Sequence, residues 1–143
     1  MTQIVDAKSA LIAHLKTDSP LSTLVGTRIF GDEVPRDEAD SMPRKAVVLT
    51  PSGGSMPPYT QATMQLEAQT YDVFCYGETL FQANAVRRAV QGALRAMQRV
   101  SISSVLLHWA RPAGGSISGQ DPVTNWPLVW NSWQVLSDER AIT

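Results

Sequence analysis

The run MQLEAQTYDVFCYGETLFQANAVRRAVQGALRAM, residues 64–97, decides the fold, because within it the apolar period changes from two to nearly four. Met64, Leu66 and Ala68 alternate with polar residues, and Tyr71, Val73 and Cys75 alternate again one residue out of phase. A strand over 64–76 is therefore predicted, with a bulge or bend near Gln69 and Thr70. Gly77 ends it. Thr79 followed at three residues by Gln82 has the spacing of a capping box, in which the hydroxyl accepts from a free helix N–H and the amide reaches back. Beyond it Leu80, Ala83, Val86, Val90, Ala93, Leu94 and Met97 make one apolar stripe, with Gln82, Arg87, Gln91, Arg95 and Gln98 away from it. The spacing predicts a helix to about Arg99, roughly 30 Å long.

Upstream, Val5, Ala7, Leu11, Ile12 and Leu15 recur near helical spacing, so a short helix over 5–16 is expected, stopped by Thr17-Asp18-Ser19-Pro20. A loop or helical turn through Leu21, Leu24 and Val25 leads to brief strands at 28–30 and 45–50, the latter ended by Pro51. The Pro-, Gly- and Ser-rich stretch 51–63 reads as a long loop. Downstream, strands are expected at 105–110 and 128–136, separated by a second Gly/Pro-rich loop over 111–126. The fold class is α+β: a mixed, mainly antiparallel sheet of about four to five strands, with one long helix on one face and a short N-terminal helix. A right-handed crossover makes the strand after the long helix parallel to the strand before it. The loops 51–63 and 111–126 then leave opposite ends of the sheet.

At 143 residues the chain suits one domain, 1–143. Hydrophobic residues at 43% and charged residues at 17% describe an ordinary globular protein. Twelve basic against thirteen acidic side chains lack the overall field that draws proteins to DNA phosphates or anionic lipid, so neither sequence-specific nucleic acid nor membrane is expected as a partner. No stretch nears the ~20 apolar residues of a membrane span, and the first residues lack the apolar run of a signal peptide. The lone Cys75 fits a reducing cytoplasm.

Candidates for chemistry are His14, His108 and Cys75. His14 falls on the polar side of the first helix and reads as solvated; His108 reads as a half-buried strand residue that could pair with a carboxylate; Cys75 reads as a small core side chain. No CxxC, HExxH or calcium-loop pattern occurs, and Gly114-Gly115-Ser116-Ile117-Ser118-Gly119 lacks the Lys-Ser/Thr of a phosphate loop. No catalytic residue, metal or cofactor is expected. The cluster Glu33, Asp37, Glu38 and Asp40, broken by Arg36 and Arg44, marks a solvated loop or salt-sensitive contacts between identical subunits. Trp130 and Trp133 fall on opposite faces of the last strand, so one looks away from the helix-covered core, either under a loop or in a subunit contact. The expected contact residues are Arg36, Arg44, Met56, Tyr59, Trp126 and Trp130.

The chain resembles the tail-terminator, or tail-completion, family of long-tailed phages and related gene-transfer particles. The resemblance is carried by Leu24-Val25-Gly26 leading into Arg28-Ile29-Phe30-Gly31-Asp32 and Val34-Pro35, by Met42-Pro43 before Ala46-Val47-Val48-Leu49, and by Val73-Phe74-Cys75-Tyr76-Gly77 before a helix rich in Ala and Val. It implies a small α+β subunit of the virion, in a homo-oligomer expected to be a hexameric ring at the head-proximal end of the tail. The implied partners are the tail tube protein and a head-completion or neck protein, met during assembly in the host cytoplasm. The family transfers no catalytic residue. The alternatives are a head-tail connector or stopper protein and, in a different class, a small hydrolase using Cys75 or His108.

Overall fold

The computed structural model describes residues 5–53 and 66–138. In chain order the elements are α1 (Ala7–Lys16), α2 (Ser19–Val25), β1 (Ile29–Gly31), α3 (Arg36–Ala39), β2 (Ala46–Gly53), β3 (Leu66–Tyr76), α4 (Leu80–Arg95), β4 (Gln98–Ile102), β5 (Val105–Pro112), β6 (Ile117–Gln120) and β7 (Pro127–Asp138). The sheet has the order β1-β2-β3-β7-β5-β4, and β6 pairs with β7 beyond the end of β5. Among the described residues only β1 and β2 run parallel; the other pairings are antiparallel. The class is α+β with a mixed sheet, but the described residues hold seven strands where four to five are expected, and four helical segments where two are expected.

Local chemistry explains the helix starts. Asp6 accepts from the Ser9 N–H and hydroxyl, Asp18 accepts from the Leu21 N–H, and Thr79 Oγ1 accepts from the Gln82 N–H, so α1, α2 and α4 each begin on a side-chain cap, whereas α3 follows Pro35 without one. The Gln82 amide does reach back, but it accepts from the N–H of Glu78, one residue before the cap.

The long helix is shorter than its apolar stripe. It ends at Arg95, Met97 turns into the core, and Gln98 opens the edge strand β4. β4 and β5 are joined by Ser103-Ser104, both in the left-handed region with φ 51° and 66°, which is a two-residue hairpin turn without the Asn or Gly that usually announces it. β6 lies inside the expected loop over 111–126: it continues the β5 pairing along β7 after a short break, and only Asp121–Trp126 remains as the connection.

The expected bulge at Gln69 and Thr70 is not on β3, whose register with β7 is unbroken from Leu66↔Asp138 to Tyr76↔Leu128. The irregularity is on β2, between Pro51 and Gly53 opposite Tyr71 and Thr70, with a second on β5 at His108. The phase change in β3 instead records which face is covered: Tyr71, Val73 and Cys75 lie under the helices, while Ala68 shares the other face with Leu136. Strand β2 also runs through Pro51. β1 pairs only as far as Leu49, so the proline sits on an edge strand, where it is tolerated.

Helices α1, α2 and α4 cover one sheet face, and Leu11, Leu15, Leu21, Val47, Val73, Val86, Val90, Leu94, Leu107 and Trp133 fill the core between the layers. β5 runs parallel to β3 with β7 between them, but the strand that follows α4 directly is β4, which is antiparallel to β5 and so to β3; the expected parallel crossover is made only by way of the β4–β5 hairpin. Gly53 and Leu66 mark one end of the sheet and Tyr76, Gln120 and Pro127 the other, so the two connections leave opposite ends. Residues 54–63 of the first lie outside the described residues.

Candidate functional site

The sheet face turned away from α1, α2 and α4 carries an unusual aromatic load. Successive β3 residues alternate, so Phe74 and Tyr76 project there together with Trp130 and Leu128 of β7. Phe74 and Trp130 are directly opposed and stack with centroids 5.9 Å apart. Tyr76 meets Trp126 edge-on at 5.8 Å. Val34 and Met42, from the chain between β1 and β2, pack on Ala46, Val48 and Tyr76 in the same small cluster.

Along the rest of this face the side chains turn polar. Ser132 donates to Asp72 at 2.7 Å, Arg111 donates twice to Gln134 Oε1 at 2.9 and 3.0 Å and lies 4.7 Å over the Trp109 ring, and His108 Nε2 is 2.7 Å from Asp138 Oδ1. Neighbouring strands supply the partners, so the face is preorganised.

The expected contact residues fall in three places. Trp130 and Trp126 are half-buried on the open face, while Trp133 is in the helix-covered core at 1% exposure. Arg36 is exposed on α3; Arg44 is half-buried and ion-paired with Glu38. Met56 and Tyr59 lie outside the described residues. Trp130 Nε1 and Arg44 Nε are buried with no hydrogen-bond acceptor among the described residues, an arrangement that costs stability.

One set of exposed apolar residues escaped the sequence reading. Leu80 (44%), Phe81 (82%), Ile117 (57%) and Val123 (87%) stand in solvent. Leu80, Phe81 and Val123 gather at the Tyr76 end of the sheet, where the Gly77 N–H donates to the Pro127 carbonyl. Phe81 had a detectable signal, since it falls outside the apolar stripe of its own helix.

The hydrolase alternative loses its geometry. Cys75 is fully buried on the helix-covered face, and burial pushes its thiol up to about 12 against the opposing charge of Arg87. His108 is on the other face beside Asp138, nine residues along β7 from the Val129 that opposes Cys75, or roughly 30 Å at strand rise. His14, expected to be solvated, is half-buried, its Nε2 3.4 Å from the Ala93 carbonyl of α4. Among the described residues no three His, Cys, Asp or Glu side chains converge as a metal ion requires, and no helix is long and apolar enough to cross a membrane.

The fold has known relatives. A chain of the virion of a native gene transfer agent particle superposes with TM-score 0.65 at 16% identity, covering 91% of this chain and 92% of that one. The gp17 protein of bacteriophage SPP1 aligns at TM-score 0.47 and 18% identity, covering 95% and 88%. No curated protein matches the sequence. The family model for tail completion protein gp17 matches residues 9–131, from α1 to the middle of β7, and over that span the chain belongs to the tail completion protein gp17 family, structural proteins of phage and phage-like particles.

Proposed function

We propose that the chain, acting as one domain, forms a ring on the head-proximal end of a tail tube, ends tube polymerisation there and offers the surface on which the head is joined. The observation that carries this reading is the family match over residues 9–131. The fold supports it physically. A closed ring of identical copies uses heterologous contacts, in which one side of each copy meets a different side of the next. This chain has two unlike sheet edges, three-residue β1 with α3 on one side and β4 on the other, and two unlike ends.

Six copies would match a six-fold tube. One rim would bind the last ring of tail tube protein, the opposite rim would meet a head-completion or neck protein, and growth would stop for want of a template. Arg36, Arg44, Met56, Tyr59, Trp126 and Trp130 are the proposed contact residues. No step requires a cofactor or bond chemistry. The test is electron microscopy of particles assembled with and without this chain. Tails lacking it should overgrow or stay headless; normal-length tails joined to heads would refute the proposal.

A further inference from the structure

Charge is segregated along this chain although its total is near neutral. Between Glu78 and Asp121 lie Arg87, Arg88, Arg95, Arg99 and Arg111 and no Asp or Glu at all, leaving seven cations against thirteen carboxylates elsewhere. That block builds β4, β5 and β6, on the β4 side of the sheet, and α4, which packs across β3, β7 and β5. On the opposite edge, the connection that carries α3 between β1 and β2 has five carboxylates and one arginine in residues 32–40.

Among the described residues these arginines lack charged partners. Among the described residues the ion pairs are Lys8–Asp32, Arg44–Glu38 and His108–Asp138; Arg87 bonds only to the neutral Asn84 and Gln91, and Arg111 to Gln134. Glu33, Asp37 and Asp40 are exposed and equally without an ion pair among the described residues.

Along α4, Phe81, Asn84, Arg88, Gly92 and Arg95 are all exposed, and steps of three and four residues set them in one line on the outer surface. Gly92 stands at its middle. Glycine is the poorest helix former after proline, yet nothing among the described residues calls for it: an added Cβ would meet none of their atoms within 4 Å, and its φ is not left-handed. A position open in the subunit but kept bare suits the close approach of another chain.

We infer that the stripe Phe81–Asn84–Arg88–Gly92–Arg95, continued by Arg99, docks on the acidic α3 edge of a second copy. The inference rests on the ring reading above and names the contact that would close it. Exposed Phe81 and the arginines are the residue types that anchor protein contacts. Opposite net charge on the two surfaces orients the copies head to tail and sets the register. Gly92 lets the partner backbone sit against the helix.

The test is sedimentation velocity of the full chain over a range of protein and salt concentrations. Wild type should associate at low salt and dissociate as salt rises. Arg88→Glu with Arg95→Glu, and separately Asp37→Arg with Asp40→Arg, should each weaken association at least tenfold, and a chain carrying all four should regain it. Gly92→Gln should also weaken association while raising the thermal midpoint of the subunit, which separates a contact from a folding defect. Unchanged association in the reversed variants, no recovery in the combined one, a wild type that stays monomeric throughout, or a labelled DNA duplex that displaces the second copy from the arginines would each overturn the inference. Reversed variants that still cap tails at normal length would refute this contact and leave the capping role standing. Tails uncapped by wild type would refute the role itself.

Discussion

Trp130 lies over Phe74 directly across the β3–β7 pair, with ring planes 15° from parallel, while Trp133 three residues on is buried in the opposite core. The two tryptophans should therefore respond differently to truncation. Trp133→Ala should cost roughly 3–5 kcal/mol, as for a filled core position. Trp130→Ala should cost about 1–2 kcal/mol, since the ring is only partly removed from water. A double-mutant cycle of Phe74→Ala and Trp130→Ala should give a coupling near 1 kcal/mol in urea unfolding.

Both placements were legible in the sequence, because period two puts residues 130 and 133 on opposite faces whatever the topology. The helix start at Thr79 was equally legible from its hydroxyl and Gln82. What escaped was β4, because its turn is Ser103-Ser104 and the apolar stripe of α4 runs on to Met97 after the helix has ended. β6 escaped because Ile117-Ser118-Gly119-Gln120 has almost no strand composition, and its pairing is imposed by β7. The proposed contact residues rest on residue type alone. Parity puts Trp130 on the open face, and the place of Phe81 outside the apolar stripe of α4 is the one local sign of its exposure.

Alkaline pH should destabilise the fold. Burial pushes the Cys75 thiol up from 9.0 and the Tyr76 phenol up from 10.0, each to about 12, and raises Tyr71 as well. These groups are neutral in the folded state where the unfolded chain has lost their protons. Their contribution is thus fully present below pH 9.0 and is lost as pH rises from there toward about 12. Urea midpoints should be flat from about pH 7 to 8.5 and fall above that, and Cys75→Val should make the fall shallower.

Gly77 should resist substitution for a reason unlike that of Gly92. A Cβ on Gly77 would stand 2.6 Å from the Ala83 nitrogen and 2.8 Å from the Gln82 Cβ, against the first turn of α4. Gly77→Ala should destabilise by about 1–3 kcal/mol in urea unfolding, the range for overpacking.

If no bond chemistry is involved, Cys75→Ala and His108→Gln should join heads to tails as wild type does wherever they fold. Cys75→Ala should cost about 1 kcal/mol for the small cavity it leaves. An in vitro head-tail joining assay checks both; a folded variant that fails would argue for a chemical role of that side chain.

The central claim is positional, and cryo-electron microscopy of purified tails carrying a tagged copy of this chain tests it most directly. The account predicts one ring of density at the head-proximal end, stacked on the last ring of the tube and absent from tails made without the chain. Density at the distal tip, along the tube, or only on purified heads would contradict it.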